Sequence, residues 1–263
     1  MKEPSFFCVD LKSASKRTHE AYMALFATAS AERITGEASA LYLYSKIAVE
    51  RIMVHNPDAK IIVMLRYPVD AAHSLYTAAW SYYRTENMAS FEDAWRVQAE
   101  RLLGKQTPPN CVEPESLQYG AMYRYAPQVR RVLNHVPEKQ RHIIIYEEFF
   151  ADPGRHYAET LEFLNLPPDA NTTFSVVNPA VGPRSFLLDR LLRKPPRWLK
   201  GLYRPLVHAT GLDPAGRLLR LNTVPQRKTA IRPGFRDELD RYFADDIVEL
   251  EQLLGRRLWR NVS

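Results

Sequence analysis

Ile61 to Leu65 is an uninterrupted apolar run, bounded by Asn56-Pro57 before it and by Pro68 after it. A short apolar run punctuated in this way reads as an inner strand of a parallel sheet, buried on both faces. Pro68 suits the first turn of a following helix, where its missing N–H would be unpaired anyway. Asp70 then complements the positive end of that helix. This strand–helix corner constrains the chain more than any other segment, because it demands an α/β architecture. Arg66 falls at the carboxyl end of the strand, where open α/β sheets bind their ligands. Ser74, two turns into the helix, leans toward the same crevice. A guanidinium fork with a hydroxyl is a grip for phosphate, although the same two residues also fit a solvated strand end and a helical filler.

The pattern Arg66-x-Pro68-x-Asp70-x-x-x-Ser74-x-Tyr76 resembles the 3′-phosphate-binding motif of sulfotransferases that use 3′-phosphoadenosine 5′-phosphosulfate (PAPS). The resemblance implies that Arg66 and Ser74 hold the nucleotide's 3′-phosphate, with Ala71 standing where a second Arg is frequent. Lys2-Glu3-Pro4-Ser5-Phe6-Phe7 is similar to the Lys-Glu-x-His-Phe-Phe signature of heparan-sulfate-type and many bacterial sulfotransferases. That similarity implies Glu3 as the general base for an acceptor hydroxyl, with Ser5 in place of the imidazole. Gly36-Glu37-Ala38-Ser39-Ala40-Leu41-Tyr42-Leu43 resembles the family's Gly-Glu-x-Ser/Thr-Pro-x-Tyr-Leu segment, with Ala38 where some members carry Lys. Glu37, Ser39 and Tyr42 are thereby acceptor-side candidates, and a capped helix start accounts for each of them equally well.

Further along, Ile143-Ile-Ile-Tyr146 reads as a second apolar strand, followed by Glu147-Glu148-Phe149 and Asp152-Pro153. The order resembles the family's Tyr-Glu-Asp-Leu … Asp-Pro region and implies that Tyr146 lies against the adenine. Phe235 to Leu254 reads as a closing helix with Leu239, Phe243, Ile247, Leu250 and Leu254 on its core side. The resemblance implies a three-layer α/β fold of the P-loop type, a central parallel sheet flanked by helices. It also exposes a gap. Sulfotransferases of this kind open with a strand and a Gly/Lys/Thr-rich loop for the 5′-phosphosulfate, just before the Lys-Glu-x-x-Phe-Phe segment. The 10 glycines here are scattered and form no such loop. The sequence therefore reads as a family member without its first strand and loop.

The rest of the chain fits a single domain. Helices are expected at Thr18–Ala29, at Val69–Tyr83 and from a Ser90 cap to about Leu103, with a short strand at Arg33–Glu37. Gly104–Pro114 is a Pro-containing loop that shapes the acceptor cleft. At 263 residues, one α/β domain over residues 1–263 is the expectation. Net charge is +6, but Arg184 to Arg236 carries +11 and the remainder −5. This basic helical insertion, at about 184–236, suits an anionic glycan or an acidic membrane face, or two helices with solvated faces. Arg227-Lys228 is similar to the basic loop that some family members fold over the 3′-phosphate. Cys8 and Cys111 lack metal-like spacing and read as free thiols of a reducing compartment. With no apolar leader or membrane-length run, a cytoplasmic location is expected.

The function expected is transfer of a sulfuryl group from PAPS to a hydroxyl of a carbohydrate or glycolipid, with no metal. The alternative is a non-catalytic, sulfotransferase-like binding protein. A nucleotide kinase is disfavoured because neither apolar strand is followed by a Mg²⁺-binding Asp. The basic block carries no nucleic-acid recognition motif and supports only nonspecific attraction.

Overall fold

The computed structural model describes residues 3–12, 17–27, 29, 34–109, 111, 114–169, 173–174, 181–185, 188, 191–192, 214–225 and 230–259. Its frame consists of helix α1 (Ala48–His55), strand β1 (Ile61–Leu65), helix α2 (Pro68–Ala78), helix α3 (Ala126–His135), strand β2 (Arg141–Ile145) and helix α4 (Pro153–Leu164), closed by helix α5 (Pro233–Leu254). β1 and β2 pair in parallel, from Ile61 opposite Arg141 to Leu65 opposite Ile145. A parallel connection needs a long crossover, and here the crossover carries α2 and α3. A separate antiparallel ribbon joins β3 (Val181–Pro183) to β4 (Thr223–Pro225). The α/β class with a parallel sheet and flanking helices is as expected from the sequence.

One face of the sheet is fully covered. Val63, Leu65 and Ile145 pack against Val49 of α1, Val129 and Val132 of α3 and Leu250 of α5. The other face is covered unevenly. The ring of His142 stacks on Phe163 of α4 at 5.2 Å, so that helix lies across β2. Ile62 and Met64 point to the same side and remain 43% and 47% exposed. The expectation of a strand buried on both faces is therefore corrected. An apolar side chain in a strand states a preference for cover, but helix α4 reaches only the neighbouring strand.

A second core lies between α2 and α5. Val69, Ala72 and Tyr76 meet Phe91, Trp95, Tyr119, Leu239 and Phe243 there. Leu239, Phe243 and Leu250 are fully buried, as their helical spacing predicted, while Ile247 and Leu254 are packed at the margins. Pro233 opens α5 and Gly255 closes it in the left-handed region, φ 66°, the conformation that glycine adopts without a Cβ penalty. Asp246 of α5 accepts the backbone N–H groups of Tyr125 (2.7 Å) and Ala126 (3.2 Å), so one helix caps the start of another. Burial pushes this carboxyl above its ordinary range despite those donors.

Several boundaries differ from the sequence reading. Of the helix expected at Thr18–Ala29, His19–Met23 is α-helical and Ala24–Phe26 is a 3₁₀ turn. Residues 34–37 form no strand, and Arg33 lies outside the described residues. The helix capped by Ser90 breaks at Val97 into Phe91–Arg96 and Gln98–Leu102. Tyr146 opens the helix Tyr146–Ala151 instead of ending β2. Of the basic segment, β4 and the helix Pro214–Leu221 are among the described residues, whereas Arg227-Lys228 lies outside them.

The α2 side also holds a buried ion pair. Both oxygens of Glu86 accept from the Arg101 guanidinium at 2.6 and 2.7 Å, and the Tyr119 hydroxyl adds a third donor at 2.6 Å. The two charged side chains are 1% and 0% exposed. Burial alone would push the Glu86 carboxyl up, but the donors from Arg101, Tyr119 and the Met88 N–H outweigh it and hold it below the ordinary range. Removing one partner strands a buried charge. Arg101→Leu is expected to lower stability by about 3–5 kcal/mol in urea unfolding. Because the folded-state pKa is depressed, the pair's contribution is present above the unfolded carboxylate range and lost as pH falls through the folded one.

Candidate active site

The corner after β1 brings Arg66 and Tyr146 together. The Arg66 guanidinium lies 4.8 Å from the centroid of the Tyr146 ring, a cation–π distance. Its Nε is buried and has no hydrogen-bond partner among the described residues. A buried guanidinium nitrogen left unpaired is costly, and an anion arriving there would relieve that cost. Ser74 is half-buried on α2, eight positions beyond Arg66. Asp70, in the first turn of α2 as expected, also pairs with Arg236 of α5 at 3.0 Å.

Glu147 fixes the geometry of this corner. One carboxylate oxygen accepts the Tyr67 N–H at 3.0 Å and the other accepts the Trp259 indole N–H at 2.8 Å. The residue after Arg66 is thereby tied to the residue after Tyr146. The Tyr67 hydroxyl donates in turn to Asp240 of α5 at 2.8 Å. The sequence placed Glu147 beside Tyr146 but held no sign of this lock, which depends on partners 80 and 112 positions away.

Glu3 stands elsewhere, on the wall of a groove of about 2580 Å³. The groove also takes in Glu37, Ser39, Tyr42, Tyr82, Tyr83 and the edge of β1 from Ile61 to Met64. Arg66, Ser74 and Tyr146 are not among its lining residues. Glu3 is exposed and Ser5 buried, and both have positive φ, 53° and 49°. Non-glycine residues reach this region at a cost and persist where their surroundings hold them. The hold is visible. The Ser5 N–H donates to Ser39 Oγ at 2.9 Å and the Phe6 N–H to Tyr42 Oη at 2.9 Å. Both hydroxyls donate onward to the Glu37 carboxylate, Ser39 at 3.0 Å. The Phe6 ring stacks on Tyr22 at 4.3 Å, and the Tyr22 hydroxyl reaches Glu37 at 3.5 Å.

Burial, reinforced by Glu37, pushes the Tyr22 phenol up to about 12 and raises Tyr42 as well. Both phenols therefore keep their protons at neutral pH and act as donors to the carboxylate. The three residues that the sequence put on the acceptor side do line the groove, and they also brace the backbone that presents Glu3. Tyr82 and Tyr83, which the sequence reading did not single out, lie on a π-helical turn (Ala79–Tyr83) that extends α2. Such turns recur at functional positions.

The chain is thus an α/β protein in which a parallel strand leads to an Arg whose buried Nε has no partner among the described residues, and a separate groove carries an exposed carboxylate. The chain belongs to the sulfotransferase domain family, whose model matches residues 31–179. It is similar to the heparan sulfate glucosamine 3-O-sulfotransferase 5 of Mus musculus and of Homo sapiens, at 24% identity over 143 residues in each case. Those matches take in 52% of this chain and 37% of each relative, so the match spans little more than a third of the curated relatives' length. Among solved structures, a sulfotransferase from Alicyclobacillus acidocaldarius superposes with a TM-score of 0.67 and 26% identity, over 98% of this chain and 85% of that one.

The bracing of the Glu3 segment is directly measurable. Tyr42→Phe removes the hydroxyl that links the Phe6 N–H to Glu37. Amide hydrogen exchange at Phe6 is expected to accelerate, with a loss of about 1–2 kcal/mol in local protection. Unchanged exchange would contradict the brace.

Proposed function

We propose that this protein transfers a sulfuryl group from PAPS to a hydroxyl of a carbohydrate or glycolipid acceptor. The observation that carries the reading is the buried, unpartnered Nε of Arg66 at the carboxyl end of β1, beside the Tyr146 ring. Arg66 and Ser74 are assigned to the 3′-phosphate, Tyr146 to the adenine and Glu3 to the acceptor hydroxyl. PAPS brings the activated sulfuryl group. The acceptor oxygen forms a bond to sulfur as the bond from sulfur to the bridging phosphate oxygen breaks, and adenosine 3′,5′-bisphosphate departs. Glu3 takes the acceptor's proton.

Family membership and the likeness to solved sulfotransferases support the reaction class, and the curated relatives named for heparan sulfate support a carbohydrate acceptor. Positioning would supply much of the rate, as in phosphoryl transfer. Among the described residues no group of three or more His, Cys, Asp or Glu side chains is placed to hold a metal, and no helix is long and apolar enough to cross a membrane.

The second reading, a sulfotransferase-like binding protein without turnover, draws on the sheet. Among the described residues the parallel sheet consists of β1 and β2 alone. Calorimetry with adenosine 3′,5′-bisphosphate, followed by a sulfotransfer assay, separates the two. Arg66→Ala is expected to abolish nucleotide binding, whereas Glu3→Gln should spare binding and stop turnover. Normal bisphosphate binding by Arg66→Ala would sink the assignment. Nucleotide binding without transfer to any hydroxyl by the wild-type chain would establish the second reading.

A further inference from the structure

The groove that holds Glu3 has a charge balance that its relatives' names would not suggest. Among its described lining residues the carboxylates are Glu3, Glu37 and Asp58, and the lysine and arginine side chains are Lys60 and Arg84. Both cations are already engaged. The Lys60 ammonium donates to the carbonyl of Phe163 and sits 5.3 Å from that residue's ring, and Arg84 Nη1 donates to the carbonyl of Trp80 at 3.1 Å. None of the described residues of the basic segment lines the groove. A sulfated or carboxylated polymer entering here would meet, among the described lining residues, three carboxylates against two cations that already donate to backbone carbonyls, an unfavourable balance once water leaves.

What the groove does offer is apolar and aromatic surface ending at a carboxylate. Ile62 and Met64 expose nearly half of their surface along the open side of β1. Tyr82 and Tyr83 are 52% and 55% exposed on the π-helical turn, their rings packed edge to face at 5.0 Å. Phenol rings of this kind receive sugar and hydrocarbon faces while their hydroxyls stay wet. The volume, about 2580 Å³, exceeds the roughly 300–1,000 Å³ of pockets for compact ligands, so an elongated occupant fits better than a compact one.

We infer that the acceptor is an uncharged amphiphile, its hydroxyl-bearing head at Glu3 and its apolar body along Tyr82, Tyr83, Ile62 and Met64. This rests on the sulfotransfer reading above and selects, within it, the glycolipid side over a polyanionic glycan. Charge and surface together make the selection: among the described lining residues carboxylates outnumber cations, which disfavours a polyanion, while the exposed rings and β1 side chains suit a neutral sugar head followed by a hydrocarbon.

The test is calorimetric titration of the full chain with dodecyl maltoside below its micellar concentration and, separately, with heparan sulfate. The alkyl glycoside is expected to bind saturably and with little dependence on salt. Tyr83→Ser and Met64→Ser should each weaken it about three- to tenfold. The double variant Leu102→Ser/Leu103→Ser, which removes exposed apolar surface outside the groove's lining, should bind like wild type and so controls for nonspecific adsorption. Salt-sensitive binding of heparan sulfate with no response to the glycoside would overturn the inference. So would glycoside binding that the groove variants leave unchanged, or a dimer in sedimentation that Met64→Ser dissolves, since a second copy would then be the occupant. Parallel titration with adenosine 3′,5′-bisphosphate keeps the two readings apart. If the nucleotide fails to bind while the glycoside result holds, the sulfotransfer reading falls and the groove's preference stands.

Discussion

The structure depends on a parallel pairing between two five-residue strands whose matched positions lie far apart in the chain. Five residues of ladder hold little by themselves, and parallel pairs are slightly weaker per residue than antiparallel ones. Their register is secured at the carboxyl end by Glu147, which takes up the Tyr67 N–H and the Trp259 indole together. It is secured on the covered face by Val63, Leu65 and Ile145 against three helices. Arg66 and Tyr146 follow directly after the two strands, so the register that aligns Leu65 with Ile145 also brings the guanidinium to the ring. The Arg66–Tyr146 corner is thus a product of strand pairing and not of a loop.

The Glu3 side is built differently. The backbone just after Glu3, at Ser5 and Phe6, is held by a relay of hydroxyls that ends on Glu37, and the positive φ of Glu3 and Ser5 is one that an unsupported chain would leave. The hydroxyl relay and the Glu147 lock share no residue.

Much of this was legible in the sequence where a local pattern carried the information. The run Ile61–Leu65 matched β1 residue for residue because polar and proline residues bound it on both sides. Helix α5 was legible from its apolar spacing, although it opens at Pro233, two residues before the expected start. Arg66 and Ser74 were singled out through a spaced motif. What failed depended on distant partners. The exposure of Ile62 and Met64 reflects how far helix α4 extends across the sheet, which no pattern within β1 encodes. Tyr146 looked like the end of a strand because it continued an apolar run, yet the helix beginning there takes it. Residues 34–37 had strand-like composition and found no edge to join. The roles of Glu147, Glu86 and Asp246 rest on hydrogen bonds to groups 15 to 121 positions away, invisible to any local reading.

Helix α5 touches nearly every part of this arrangement. It delivers Arg236 to Asp70, Asp240 to Tyr67, and Asp246 to the start of α3, and its Leu250 closes the core beneath β1. During synthesis on the ribosome, the strands and the Arg66 corner emerge long before this helix does. Until residues 233–254 have cleared the exit tunnel, α3 lacks its cap, Asp70 lacks its cation and the sheet lacks part of its floor. The growing chain must therefore carry the Arg66 corner in an unfinished form until helix α5 emerges to complete its surroundings.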